Sequence, residues 1–308
     1  MTNGSLNSAI ERSNFLARLL SRREDEALRE QLEAFEAETA YDNLEDLGIA
    51  TDAWRKIKQL EIDPKLVFAH PKVLAELPQT SLYYRGISLL SRKMVAKHAG
   101  SVERWENEPA KATVTSEKAK KVAHLYNVCV SSILAGSSDW TLGDGLRNIV
   151  ATIGISADGT ARNLIGQKAE EEIYQRLLKW VRENELIAEA SNEATGLHCL
   201  KDGITMHFGS EPDISFIRGK VVEATIEIKG GRDPAGALER LGAVQKSFAA
   251  TPTQCKNFLV AGVVTEEMKK RLGELRVEKT FLLDKILNED VAWEDFAAEI
   301  FHYALRIQ

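Results

Sequence analysis

The feature that most constrains this chain is a change of hydrophobic period. Most of the first 185 residues carry apolar side chains at helical spacing, whereas Gly196 to Gly231 alternates with a period of two, is rich in β-branched residues and is punctuated by glycine turns. A chain written this way cannot be a pure helical bundle or a pure sandwich. It must build a sheet that helices cover, an α/β fold preceded by a mainly helical region.

The helical part is legible in detail. Ile10, Phe15, Leu16, Leu19, Leu20, Leu28, Leu32 and Phe35 recur at helical intervals, broken by the charged run Arg22 to Glu26, which predicts two helices or one bent helix. Further helices are expected over 52–59, 80–98 and 116–135, with Pro64, Pro71 and Pro78 marking breaks. GSSDWTLGDG reads as a loop, and ISADGTARN as a loop leading into the helix LIGQKAEEEIYQRLLKWVREN, whose stripe is Ile165, Ala169, Ile173, Leu177 and Trp180. The expected division is a helical N-terminal region, 1–153, and a core with C-terminal helices, 154–308. Within that core a helix is expected over 234–249, a buried strand over 257–264 and helices near 266–275 and 291–306.

Composition narrows the function classes. Forty Lys and Arg against forty-six Asp and Glu leave a formal charge of −6, so any polyanion must be met by a local patch rather than by an overall basic field. Three cysteines, Cys129, Cys199 and Cys255, lack CxxC spacing; this predicts reduced thiols, a cytoplasmic location and neither a disulfide framework nor a four-ligand zinc site. Glu11, Arg12 and Arg18 interrupt any leader-like apolar core. The run from Leu125 to Thr141 is diluted by Asn127 and four serines, so no membrane span is expected.

The segment SEPDISFIRGKVVEATIEIKGG, 210–231, carries the chemistry. A turn centred on Gly219 pairs Phe216 with Val222 and Ile214 with Ala224. Even positions then form an apolar face, and Asp213, Thr225, Glu227 and Lys229 lie on the other. Asp213 sits opposite Thr225 and diagonal to Glu227, about 7–8 Å away. Two carboxylates brought to ~4 Å repel by about 4 kcal/mol at an effective dielectric of ~20, and a divalent cation reverses that sign. Carboxylate oxygens suit Mg²⁺, and Lys229 on the same face can orient or help deprotonate a water and neutralise charge at phosphorus. The plainer alternative is an edge hairpin whose outward face is merely polar.

Pro212-Asp213, thirteen intervening residues and Glu227-Ile228-Lys229 resemble the PD-(D/E)XK nuclease motif. The resemblance implies a restriction-endonuclease-like mixed sheet flanked by helices, with Mg²⁺ held by Asp213, Glu227 and the Ile228 carbonyl, Lys229 as a catalytic residue and DNA as the substrate. Members often add an acid from a preceding helix, after a glycine. Gly166 and Glu170 match that pattern, although Glu171 and Glu172 are neighbours with the same chemistry, and a solvated helix face is the plain alternative. Residues 69–93, the hairpin and 229–248 together resemble type II restriction endonucleases of the XcyI kind, which implies a homodimer acting on a short GC-rich palindrome in double-stranded DNA.

Other chemistries find little support. No GxGxxG or GxSxG occurs, and Gly154 to Thr160 has phosphate-loop glycine spacing without its lysine. His198, Cys199 and His207 lack paired ligand spacing, and Cys129 lies in an apolar stretch. Arg232, Arg240, Lys246, Tyr84 and Arg85 are candidates for DNA contact, since arginine reads guanine bidentately. Two rivals stay open at this level: a structure-specific or repair nuclease of the same fold, and a noncatalytic DNA-binding protein that keeps the fold.

Overall fold

A computed structural model of the chain describes residues 3–37, 39–188 and 196–307. The chain falls into two compact units, one formed by residues 12–160 and the other by 1–11 with 161–308.

The helical elements up to the sheet are α1 (Asn3–Leu20), α2 (Glu24–Glu33), α3 (Thr51–Gln59), α4 (Pro71–Glu76), α5 (Ser81–Ile87), α6 (Arg92–Ala99), α7 (Glu103–Asn107), α8 (Ser116–Ala135) and α9 (Leu142–Glu183). Pro64, Pro71 and Pro78 each open a helical turn, where a missing N–H is tolerated and the fixed φ is already helical. The first unit packs around α8. Thr115 caps its N-terminus by accepting from the Lys118 amide, and Ala119, Val122, Ala123, Tyr126, Val130 and Leu134 form its buried stripe. Asn127 breaks that stripe for a reason: its Oδ1 accepts from the Ala69 amide at 2.7 Å and its Nδ2 donates to the Leu47 and Ala69 carbonyls, so loop backbone is tied to the helix.

The loop expected at ISADGTARN is not there. Those residues lie in the middle of α9, as does the expected boundary at 153/154. Gly154 and Gly159 each cost a helix about 1 kcal/mol relative to alanine but do not forbid it. The buried residues Ile153, Ala157 and Ala161, four apart, give this segment a continuous packed edge.

The second unit is built on a six-stranded sheet ordered β1 (Leu197–Cys199), β2 (Ile204–Phe208), β3 (Ile214–Arg218), β4 (Val221–Lys229), β5 (Lys256–Ala261) and β6 (Lys279–Leu282). The first three pairings are antiparallel and the last two parallel. The parallel β4–β5 step requires a crossover, supplied by α10 (Ala237–Ala249). The remaining helices are α11 (Glu266–Leu272), α12 (Leu283–Asn288) and α13 (Asp290–Ala298), the last continued by a π-helical turn, Glu299–Ala304.

One face of the sheet packs on α9 through Ala169, Ile173, Leu177 and Val181, and on Trp293, Phe296 and Phe301. The even residues Ile214, Phe216, Ala224, Ile226 and Ile228 point here, as alternation requires. The other face is covered by α10 and α11 through Leu241, Val244, Phe248 and Met268, against Leu259 and Ala261. The odd residues are therefore not on an open surface. Thr225 and Glu227 are 0% and 2% exposed.

Candidate active site

The β3–β4 register differs from the simple hairpin expected. Ile214 pairs with Ile226 and Phe216 with Ala224, and the register then slips so that Ile217 faces Val222. Glu223 is the extra residue of the resulting bulge, and its carboxylate accepts from Arg218 Nε at 2.8 Å. Gly219, at φ +63°, makes the turn. Continuing the pairing by one residue places Asp213 opposite Glu227 rather than opposite Thr225. Asp213 itself lies just before β3, and the Ile228 amide next to Glu227 binds its carboxylate.

Their surroundings are those of a buried, negatively biased centre. Asp213 Oδ2 accepts from the Ile228 amide at 2.6 Å. Lys229 Nζ lies 2.6 Å from Glu227 Oε1, 3.7 Å from Asp213 Oδ2 and 3.2 Å from the Ile228 carbonyl oxygen, to which it donates. Glu227 Oε2 accepts from Ser247 Oγ of α10 at 2.7 Å. Helix α9 closes in from the opposite face: a Cβ on Gly230 would come within 2.5 Å of Ala169 Cβ, so only glycine lets the helix approach the end of β4 this closely. The residue after Ala169 is Glu170.

Electrostatics single out Glu170 from its neighbours. Burial raises its carboxyl pKa, with the Glu227 charge adding to the effect and the Lys229 ammonium opposing it. Glu171 instead accepts from Gln175 one turn on, and Glu172 lines a separate cleft with Lys168 and Arg232. Asp213 is pushed up to about 7, by burial first, with Glu227 and Glu170 adding and Lys229 and the Ile228 amide opposing. Burial alone would lower the Lys229 pKa, but the Asp213, Glu227 and Glu170 carboxylates lift it above the ordinary lysine range. Lys229 is thus an ammonium in this arrangement: a donor and a counter-charge, not a base.

Three oxygens, from Asp213, Glu227 and the Ile228 carbonyl, gather about a single cationic nitrogen. This is the donor set that a hard cation takes, two carboxylates and a carbonyl, and the ammonium stands in for one. Among the described residues no group of three His, Cys, Asp or Glu side chains is assembled to hold a metal by itself, so a cation here would complete its shell with the carbonyl and with water or substrate oxygens.

The residues expected to touch DNA separate into two groups. Arg232 follows β4 and is bound to Asp284, Nη2 to Oδ1 at 2.5 Å; Arg240 lies over Gly231 and Gly236 and donates to the Asp233 carbonyl; Lys246 is exposed beside Glu211 at 3.3 Å. Tyr84 and Arg85, by contrast, are fully buried in the helical unit. Tyr84 donates to the Lys65 carbonyl and Arg85 makes a two-pronged pair with Glu106, so neither is available to a groove, and both are withdrawn as DNA contacts. His198 is a core residue beside Tyr174 and Phe208, as strand packing predicts.

Ser247 is the residue the sequence reading missed. The signal was available: a serine in line with Leu241, Val244 and Phe248, the apolar stripe of α10, is a polar group committed to burial and needs a partner across the interface.

Among the described residues no helix is long and apolar enough to cross a membrane. The chain matches none of the curated proteins with which it was compared. A family model described as XcyI restriction endonuclease matches residues 15–304, nearly the whole length, and on that match the chain belongs to the XcyI restriction endonuclease family.

Proposed function

We propose that this restriction endonuclease hydrolyses phosphodiester bonds of double-stranded DNA with Mg²⁺, at a short GC-rich palindromic site and as a homodimer. The observation that carries the reading is the convergence of Asp213, Glu227 and the Ile228 carbonyl on one cationic point at the end of β4. Those three groups would hold Mg²⁺, which when bound supplies charge neutralisation at the phosphate and a more acidic water. Lys229, kept protonated by its acidic neighbours, donates to the water or to a phosphate oxygen and offsets developing negative charge. Glu170, whose proton affinity is raised by burial, is suited to take the proton that an attacking water gives up.

Arg232, Arg240 and Lys246 lie after β4 and along α10, where they can exchange their present acidic and carbonyl partners for phosphates or guanine edges. One such centre cuts one strand, so a two-fold dimer is the simplest arrangement that cuts both strands of a palindrome. Two copies of a chain of −6 carry −12, so binding must depend on locally basic surface and weaken steeply with salt.

Digestion of plasmid DNA with Mg²⁺ and with EDTA, followed by sequencing of the ends, tests the reading. Ends at a fixed GC-rich palindrome only in Mg²⁺ are expected. Ends without a common sequence point to the structure-specific nuclease, and intact plasmid under all divalent cations points to the noncatalytic protein. Light scattering of the free protein and of its DNA complex checks the dimer, and a monomer that cuts both strands in one encounter removes it.

A further inference from the structure

Ser247 bears on which cation the site accepts. Its hydroxyl is the hydrogen-bond donor to Glu227 Oε2 at 2.7 Å, and the residue is 3% exposed, between Val244 and Phe248 of the stripe that packs α10 on the sheet. The hydroxyl cannot swing to solvent. Glu227 is 2% exposed, and its other oxygen, Oε1, is the one that faces Lys229 at 2.6 Å. The two oxygens of this carboxylate are thereby given different tasks: one is tied to the helix, the other is left for a cation.

This matters because carboxylates bind cations in two ways. Ca²⁺ takes six to eight oxygens in flexible geometry and readily uses both oxygens of one carboxylate, whereas Mg²⁺ demands a near-ideal octahedron and takes one oxygen from each carboxylate. A buried donor on Oε2 opposes the two-oxygen mode, since it takes one of that oxygen's two lone-pair sites and fixes the carboxylate's orientation, so turning both oxygens to a cation strains the bond to a hydroxyl that is itself buried. We infer that Ser247 is a positioning residue that holds Glu227 in one-oxygen presentation and so biases the site toward Mg²⁺ and against larger divalent cations. The inference rests on the metal-site reading above and adds a selectivity to it.

The test is calorimetric titration of the intact protein with Mg²⁺ and separately with Ca²⁺, without DNA, for the unaltered chain and Ser247→Ala. Alanine removes one oxygen atom and is a good helix former, so α10 is expected to persist. The ratio of Ca²⁺ to Mg²⁺ affinity should rise by about tenfold in Ser247→Ala, in the range outer-shell partners of metal ligands command. Ser247→Cys puts a somewhat larger atom and a weaker donor at the same position; it should move the ratio the same way by less, and it serves if Ser247→Ala unfolds. An unchanged ratio in a folded variant whose parent binds Mg²⁺ overturns the role of Ser247 alone. Failure of the unaltered protein to bind either cation overturns the metal-site reading, and this inference with it.

Discussion

Each unit of the molecule buries a cluster of ionised side chains, and the two clusters differ in how their charges close. In the helical unit, Glu106 receives Arg85 Nε and Nη2 at 2.8 and 3.0 Å and Arg92 Nε at 2.9 Å, while Arg85 Nη1 donates to the Leu90 carbonyl. That carboxylate meets two guanidinium groups, one negative charge against two positive, so it has no demand for a further cation. In the sheet unit, Asp213, Glu227 and Glu170 meet one cation among the described residues, Lys229, three formal negative charges against one positive; burial first, and the neighbouring carboxylates after it, raise the proton affinity of Asp213 and Glu170. The shortfall is two positive charges, the charge of one divalent cation. Buried acids with raised proton affinity and too few counter-charges are candidates for a functional site, whereas a carboxylate held by surplus guanidinium is a structural tie.

The contrast predicts opposite phenotypes. Glu227→Ala should reduce Mg²⁺-dependent cleavage by at least about a thousandfold, because it removes half of the carboxylate donors, while stability changes little, the loss of the Ser247 hydrogen bond being offset by relief of repulsion among the buried carboxylates. Its counterpart, Glu106→Ala, strands the buried Arg85 guanidinium. That change should cost about 3–5 kcal/mol of stability, a fall in Tm of roughly 10 °C, with cleavage per folded molecule unaltered. If Glu106→Ala leaves Tm in place, the closed cluster is not what holds this part of the helical unit.

Lys229→Ala removes the ammonium that faces Asp213 and Glu227. Single-turnover cleavage should slow by about a hundredfold, with cognate DNA binding in Ca²⁺ kept within a few-fold. Normal single-turnover rates would take Lys229 out of the mechanism.

A smaller effect concerns stability against pH. The folded-state pKa of Asp213, about 7, lies above its ordinary 3.8, so the folded protein retains a proton that the unfolded chain releases. The stability tied to this proton is complete below about pH 4 and is lost as pH rises through 7. Asp213→Asn keeps an acceptor for the Ile228 amide and never ionises. Without divalent cation at pH 8 it should melt higher than the parent, by about 1–3 kcal/mol in stability, with the gain vanishing toward pH 4. A variant less stable than the parent at pH 8 would mean the carboxylate is stabilised in place rather than strained.

What the sequence made legible follows the same division. The alternation over 214–228 identified the apolar face because a period of two survives burial, and Pro212-Asp213 with Glu227-Ile228-Lys229 located the open cluster. Between Ile214 and Phe216 the register was displaced by two residues, a slip that alternation cannot detect because it leaves those side chains on their own faces, whereas beyond the bulge Val222 pairs with Ile217 and leaves the even-numbered apolar face. The bulge at Glu223 also left no mark in the pattern. Gly154 and Gly159 wrote a loop signal into what is continuous helix, since local breakers are outweighed by packing on both flanks. Tyr84-Arg85 looked like a surface pair because the acid that buries Arg85 lies 21 residues away, on another helix. Non-local partners of this kind are what spacing cannot express.

The central claim, that the sheet unit's cluster lacks the charge of one divalent cation, is tested most directly by calorimetric titration of the unaltered protein with Mg²⁺ near pH 7. Running it in two buffers of different ionisation enthalpy measures the protons exchanged. Binding at one site per chain is predicted, with release of a proton fraction as Asp213 gives up its share, an affinity that rises from pH 6 to 8, and loss of binding in both Asp213→Ala and Glu227→Ala. Binding that is undiminished in Glu227→Ala, or no Mg²⁺ uptake by the unaltered protein, would contradict it.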